Sequence, residues 1–169
     1  MKMRLLTTFI SAALLAAGCA SYRWTSSVPA EMRTVAVPTF RNDSNVTELG
    51  NVVTRQILRE FQREGTFRIA RVDDAALEIQ GSVKSAASTF AGADRTAGRR
   101  HSMQDFVVKA VVSVVDHRNG KVLVDNREYE VSVPYGSDGD LMTGQRNASG
   151  RVAEELATRI VDDILTQKW

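Results

Sequence analysis

The sequence predicts an α+β two-layer sandwich, in which two helices cover one face of a mixed β-sheet in the order β-α-β-β-β-β-α. Two segments, 47–64 and 149–167, repeat apolar residues at helical spacing. Segments 77–88, 106–115 and 122–133 alternate apolar and polar residues or are rich in β-branched ones, as strands are. Because each helix has a single apolar face, we expect both to pack on the same side of the sheet.

The first predicted unit is a strand, a helix and a second strand. Residues 34–40 form the opening strand, and turn-forming residues follow at 41–45. The helix at 47–64 places an apolar residue at every fourth position, and Gly65 is suited to end it. A short strand at 67–72 then completes a parallel crossover, which is right-handed in nearly all proteins.

The strands of the second half are expected to form antiparallel hairpins. The strand at 77–88 buries one face, whereas 90–104 is predicted to be a loop because it contains glycines and no apolar periodicity. In the strand at 106–115 one face is apolar throughout and the other is partly covered. An Asn-Gly pair at 119–120 is a strong hairpin signal, and 122–133 is the partner strand.

The chain is divided into three parts. We predict a signal peptide at 1–18, a lipidated polar tether at 19–33 and a single domain at 34–169. Within the domain a loop is expected at 134–140. The closing helix at 149–167 has two adjacent apolar rows, which make a wide stripe facing the core.

The N-terminus has the pattern of a secretory signal. Lys2 and Arg4 precede an apolar run at 5–17, which is too short to span a bilayer, since a span needs about 20 residues. The small residues before Cys19 resemble a bacterial lipobox, so we expect the Cys19 thiol to carry diacylglycerol. An ordinary secretory signal, or a buried N-terminal helix with a core cysteine, is the alternative.

The lone cysteine and the net charge limit the classes of function. Cys19 is the only cysteine, so no intramolecular disulfide can form. Ala20 follows it in place of the aspartate that retains lipoproteins in the inner membrane, which favours the periplasmic face of the outer membrane. The chain has 22 basic and 20 acidic residues, and cleavage after residue 18 removes Lys2 and Arg4 and no acid. The mature chain is formally neutral, so nucleic acid is not an expected partner.

No motif predicts an enzyme, a metal site or a cofactor. The sequence lacks a nucleophile with its base at a known spacing, a Gly-rich phosphate loop and paired metal ligands. The two histidines, His101 and His117, do not lie at ligand spacing. His117 lies beside the predicted hairpin turn, and we expect it to be solvated.

One local concentration of positive charge is a candidate binding site. Arg95, Arg99, Arg100 and His101 lie within seven residues of the predicted loop, and Lys109 is on the next strand. Guanidinium groups bind phosphate in bidentate fashion, and lipopolysaccharide is the abundant phosphorylated ligand of an outer membrane. Arg99 and Arg100 are therefore candidate lipopolysaccharide-binding residues, with Arg95 and Lys109 as secondary candidates. A solvated loop without a ligand is the alternative.

Several stretches together resemble a known family. They are GCASYR at 18–23, VAVPTFRNDS at 35–44, LGNVVTRQILREF at 49–61, DDAALEIQGSV at 73–83 and AEELATRIVDDIL at 153–165. Through them the chain resembles the LptE family, the outer-membrane lipoproteins of lipopolysaccharide assembly, over nearly the whole mature chain.

The resemblance implies a non-enzymatic lipoprotein that plugs the LptD β-barrel, assists its assembly and binds lipopolysaccharide in transit. Its binding residues match no motif here, and only the acylated Cys19 is carried over. The strand ending in PTFRNDSN also fits LpoB-like and CsgG-like lipoproteins, which activate or scaffold a cell-envelope enzyme or a pore. An enzyme is the third hypothesis.

Overall fold

A mixed sheet of three long and three short strands lies beneath two helices, which confirms the predicted α+β class. The computed structural model describes residues 28–94, 101–136 and 141–167. The elements are β1 (Thr34–Ala36), β2 (Arg41–Asn42), α1 (Leu49–Glu64), β3 (Arg68–Ile69), β4 (Leu77–Asp94), β5 (His101–Asp116), β6 (Lys121–Gly136) and α2 (Leu141–Thr166).

The strand order is β3-β1-β4-β5-β6, and β2 pairs with β4 just beyond the end of β1. β1 is parallel to both β3 and β4, so the predicted parallel crossover through α1 is confirmed. β4, β5 and β6 are successive antiparallel neighbours, as predicted for the second half. The turn between β5 and β6 ends at Gly120, which adopts the left-handed conformation with φ of 69°.

Helix α1 follows its sequence pattern closely. Leu49, Val53, Ile57 and Phe61, spaced four residues apart, are all buried in the core. Gly65 ends the helix in the left-handed conformation, with φ of 81°, and its N–H donates to the Phe61 carbonyl at 3.1 Å. The spacing of apolar residues and the glycine therefore set both the buried face of the helix and its end.

The central strand β5 supplies the middle of the core. Its helix-covered face includes five apolar side chains that are each at most 1% exposed: Phe106, Val108, Ala110, Val112 and Val114. Val107, Val111 and Val115 alternate with them on the opposite face and are half-buried. The prediction of one apolar face and one partly covered face is confirmed.

The first strand ends at Ala36 and not at residue 40, and the short strand predicted at 67–72 covers only Arg68–Ile69. Four further boundary predictions were wrong because they depended on pairing between distant residues. In the stretch 90–104, predicted as a loop, residues 90–94 belong to β4 and 101–104 to β5, and 95–100 lie outside the described residues. Residues 41–42, predicted as a turn, form β2. In the loop predicted at 134–140, residues 134–136 belong to β6, and 137–140 lie outside the described residues.

The fourth difference is at the start of α2, which begins at Leu141, eight residues before the predicted start. Its first turns contain glycines and no apolar row, so the sequence does not mark them as helix. They are held by packing, since Ala148 is fully buried and a Cβ on Gly144 would lie 3.1 Å from the Tyr135 ring.

One carboxylate of the last helix contacts two side chains of β6. The Tyr129 hydroxyl donates to Asp163 Oδ2 at 2.6 Å, and Arg127 forms an ion pair with the same carboxylate. Burial, together with the hydrogen bond to Asp163, raises the pKa of Tyr129, so the phenol stays protonated as a donor. This contact fixes the rotation of α2 over the sheet.

Packing begins before β1. Val28 is 2% exposed and Met32 is 9% exposed, and both belong to the core cluster. Arg33 Nε also donates to the Val28 carbonyl at 3.2 Å. The last residues of the segment 19–33 are thus packed on the domain.

Candidate functional site

The end of the sheet remote from the β5–β6 turn is braced across three strands. We define residues 88–94, 101–106 and 133–136 as the distal end; it begins where Phe106 pairs with Ser88 and with Val133. The Tyr135 hydroxyl on β6 lies 2.8 Å from Ser88 Oγ on β4 and 2.7 Å from Gln104 Oε1 on β5. These contacts hold the strand ends in register.

Large apolar side chains are exposed at and beside the distal end. Phe90 is 70% exposed and Met103 is 38% exposed. In the first turn of α2, Met142 is 69% exposed. A few scattered apolar residues are ordinary on a surface, but three at one end of a neutral domain mark a candidate contact region.

A groove opens between the beginnings of the two helices. Its volume is about 640 Å³, and its apolar lining includes Val46, Leu49, Val52 and Met142. Arg146 is the basic side chain in the lining, with Glu48 as the acidic one. Uncharged polar residues also line it: Asn45, Thr47, Gln145 and Ser149. The groove therefore suits an amphiphilic ligand.

Both walls of the groove are anchored to the sheet. On the α1 side, Asn42 Nδ2 donates to the Val46 carbonyl at 2.8 Å, and Asn42 pairs with Val83 of β4. On the α2 side, Gly144 rests against Tyr135, whose hydroxyl contacts Ser88 of β4. The groove accordingly lies over the sheet where β4 passes from Val83 to Ser88.

Most of the predicted binding residues lie outside the described part of the chain. Arg95, Arg99 and Arg100 fall in the interval between Asp94 and His101, two strand residues that pair with each other. The predicted lipidation residue Cys19 is also outside the described residues. Their roles stay predictions.

Lys109 is not brought together with the distal end. It lies on β5 eight residues beyond His101, which is about 26 Å along a strand that rises about 3.3 Å per residue. Its Nζ lies 3.1 Å from Glu130 Oε2, and both side chains are 58% exposed. Lys109 therefore has a local partner and belongs to the middle of the uncovered sheet face.

The sequence interpretation missed a polar cluster at the β5–β6 turn. His117, expected to be solvated, has Nε2 at 2.5 Å from Glu78 Oε2. The next turn residue, Arg118, donates from Nε and Nη2 to the buried carboxylate of Asp116, at 3.0 and 2.8 Å. Hydrogen bonds from Arg118 hold the pKa of Asp116 below its ordinary value, although burial opposes this shift. The signal was the Asp-x-Arg spacing; Glu78 is too distant in sequence to have been paired with His117.

Within residues 28–94, 101–136 and 141–167, no group of three or more His, Cys, Asp or Glu side chains is arranged to hold a metal ion. In the same part of the chain, neither helix has the length and apolarity needed to cross a membrane.

The fold defines a class: small α+β domains with two helices on one face of a mixed sheet. A neuraminyllactose-binding hemagglutinin homolog from Helicobacter pylori has a TM-score of 0.56 at 8% identity, with 86% of this chain and 92% of the other covered. A hypothetical protein from Chlamydia trachomatis has a TM-score of 0.54 at 10% identity, with 80% and 96% covered. A protein from Xanthomonas campestris has a TM-score of 0.54 at 11% identity, with 80% and 85% covered. At these identities the likeness concerns the fold alone.

The family is established by sequence. A family model described as LptE, Lipopolysaccharide-assembly, matches residues 32–167. The chain belongs to the LptE family, and the resemblance noted in its motifs is confirmed. No curated protein sequence matches the chain.

Proposed function

We propose that this protein is a non-enzymatic outer-membrane lipoprotein that plugs an LptD-like β-barrel, assists its assembly and binds lipopolysaccharide in transit. The observation that carries the proposal is the family match over residues 32–167, which spans the whole sheet and both helices. Cys19 would carry the lipid anchor, and the domain would face the periplasm.

The uncovered sheet face supports a position inside a barrel. The interior of a large transmembrane barrel is polar, so a plug needs a polar surface. The middle of this face presents Lys84, Lys109, Glu128 and Glu130 around one shallow depression. Both signs of charge are interspersed there, which suits contact with a hydrated wall.

The distal end supports contact with an amphiphile. Phe90 and Met103 are exposed there, and Arg95, Arg99 and Arg100 follow Phe90 closely in sequence. Apolar side chains would contact acyl chains, while guanidinium groups would pair with phosphate. Arg99 and Arg100 remain the main candidates, and Lys109, given its distance and its partner Glu130, a weaker one.

The first test is affinity purification of the tagged full-length protein from detergent-solubilised outer membranes, followed by mass spectrometry. We expect a large LptD-like barrel in near-equal amount. Recovery of a cell-wall synthase, or of a ring of this protein alone, would instead favour the LpoB-like or CsgG-like alternative. Cys19→Ser should abolish palmitate labelling, and unchanged labelling would refute the lipid anchor.

The second test addresses lipopolysaccharide. Reversing the charge of Arg99 and Arg100 together should weaken binding of purified lipopolysaccharide at least fivefold without lowering the Tm. The matched control reverses Arg55 and Arg59, two exposed arginines on α1, and should leave binding unchanged. Equal binding by both double variants would refute the role of the 95–100 interval.

A further inference from the structure

Part of the edge of β4 has no neighbouring strand among the described residues. β1 pairs with β4 at Leu77 and Glu78, and β2 pairs with the same edge at Ser82 and Val83. The Asp43 N–H donates to the Val83 carbonyl at 2.8 Å, and the chain then turns away toward α1. Along residues 84–94 the described strands pair only with the other edge of β4, through β5.

The ladder shows which backbone groups face this open edge. Val83 faces it, because its carbonyl accepts from Asp43. The pairing with β5 then passes from Val83 opposite Ala110 to Ser85 opposite Lys109. One extra residue of β4 lies between these pairs, so the side to which successive backbone N–H and C=O groups point shifts by one residue. The N–H and C=O groups of residues 86, 88 and 90 therefore point outward, to the side where no strand of the described residues pairs with β4.

The β6 edge of the sheet is protected against pairing with a further strand. On β6, Arg151 and Arg159 of α2 donate to the carbonyls of Pro134 and Glu130, at 2.5 and 3.0 Å. Pro134 also lacks an N–H, and Asn126 interrupts the strand with φ of 45°. These are known means of preventing edge-to-edge pairing. By contrast, residues 85–93 of β4 read SAASTFAGA, with no proline, and the charged residues of the open stretch, Lys84 and Asp94, lie at its two ends. Register shifts lie near the same ends, between Val83 and Ser85 and between Phe90 and Gly92.

The surroundings of the open edge define what would pair there. On the helix-covered side lies the groove, whose apolar residues include Leu49, Val52 and Met142. On the uncovered side β4 presents Ser85 and Thr89, which are small and polar. A strand added here would need apolar residues toward the groove and polar residues on the other face. The open stretch is eleven residues long, and its regular alternation covers residues 85–90, because the register shifts again between Phe90 and Gly92. Three outward positions can pair with part of a transmembrane β-strand, which has roughly 9–11 residues and a dyad alternation.

We propose that the edge of β4 at residues 84–94 pairs with an extended, uncharged strand of alternating apolar and polar residues, such as a barrel strand before its barrel closes. This rests on the proposed function and assigns the contact by which the protein would assist barrel assembly. Main-chain hydrogen bonds would supply affinity, and the groove would select the apolar positions. A closed barrel has no free edge, so the contact belongs to the assembly stage.

The test uses a fluorescein-labelled ten-residue peptide in which threonine alternates with leucine, bound to the full-length protein in detergent. Ser88→Pro removes an outward N–H without touching the β4–β5 ladder, and should raise the Kd at least tenfold. Ser88→Ala keeps the N–H and loses only the hydroxyl contact with Tyr135. Ser132→Pro removes the equivalent outward N–H from β6. Both controls should bind within twofold of the unmodified protein.

Two measurements keep the result independent of folding defects. The same peptide N-methylated at alternate residues should bind the unmodified protein at least tenfold more weakly, and equal binding would overturn the proposal. In hydrogen exchange, the amides of Ala86 and Ser88 should slow at least tenfold when the peptide is added. If these amides are already protected in the free full-length chain, its own residues fill the edge and the proposal is wrong.

Affinity purification of the tagged protein distinguishes failure of this inference from failure of the proposed function. If the barrel is recovered equally with the unmodified protein and with Ser88→Pro, the proposed function stands and the edge contact is refuted. If the unmodified protein recovers no barrel, the proposed function fails, and peptide binding alone decides whether the edge accepts a strand.

Discussion

The Tyr135 hydroxyl lies 2.8 Å from Ser88 Oγ, 47 positions earlier in the chain, and this contact joins β6 to β4 across β5. The same hydroxyl lies 2.7 Å from Gln104 on the intervening strand. One phenol thus cross-links three strands at the distal end, beneath the first turns of α2. The brace stabilises the distal end, and its contact with Gln104 does not involve Ser88.

Tyr135→Phe should therefore lower the free energy of unfolding by about 1 kcal/mol, the usual net value of a hydrogen bond. Urea unfolding of the full-length protein measures the change. The matched comparison is Ser88→Ala, alone and combined with Tyr135→Phe. Because Ser88 and Tyr135 share a contact, the two losses should not add. Strict additivity would mean that the contact contributes nothing.

Asp116 should make stability depend on pH in the acid range. Its buried carboxylate accepts hydrogen bonds from Arg118, which lower its pKa below the unfolded value of about 3.9. A lowered pKa in the folded state gives stability that is complete above the unfolded pKa and is lost as pH falls through the folded pKa. Urea unfolding between pH 6 and pH 2.5 should show this decline.

Asp116→Asn should remove that part of the pH dependence and lower the free energy of unfolding at pH 6 by about 2 kcal/mol, since hydrogen bonds to a charged group are lost. Arg118→Gln should reduce the acid dependence as well. If Asp116→Asn retains the full acid slope, other carboxylates are responsible.

The glycine at position 81 should not tolerate a side chain. A Cβ there would overlap the buried ring of Phe40, which crosses the strand at this point. Gly81→Ala should cost about 1–3 kcal/mol, because the added methyl forces the buried ring to shift. The control is Gly150→Ala in the interior of α2, where nothing lies within 4 Å of the added methyl. This change should stabilise by about 0.5–1 kcal/mol. A neutral result at Gly81 would mean that Phe40 repacks.

The register of α1 is open to a direct test. Ile57 is fully buried, so Ile57→Asp would place an unpaired charge in the core and should cost about 4 kcal/mol or more. We expect the variant to lack a cooperative thermal transition. Arg55→Asp, at an exposed position two residues earlier, should change stability by less than about 0.5 kcal/mol. A normal melt of Ile57→Asp would contradict the burial of this face.

The elements with strong local patterns were predicted well. The end of α1 agrees with the sequence pattern because Gly65 and the four-residue spacing are local signals. The turn at 119–120 was predicted by its Asn-Gly pair for a similar reason. By contrast, the first turns of α2 around Gly144 carry no periodicity, and they are helical because they pack on Tyr135.

The candidate site was predicted less completely. Charge density in the sequence singled out Arg99 and Arg100, but it grouped Lys109 with them although a strand of about 26 Å separates Lys109 from His101. The pairing of His117 with Glu78 was missed because 39 positions lie between them. Spacing along the chain predicts proximity only within one element.

The sequence by itself determined the fold class, the buried faces of α1 and β5 and the family, because periodicity and motifs are properties of neighbouring residues. Only the tertiary structure decided which strand edges are closed and which is open. The β6 edge is covered because α2 brings Arg151 and Arg159 to its carbonyls. β2 stops at Asn42, so the edge of β4 that faces away from β5 has no partner strand beyond Val83 in the part of the chain that the structure describes. Such differences arise from where distant segments meet, and no local pattern records them.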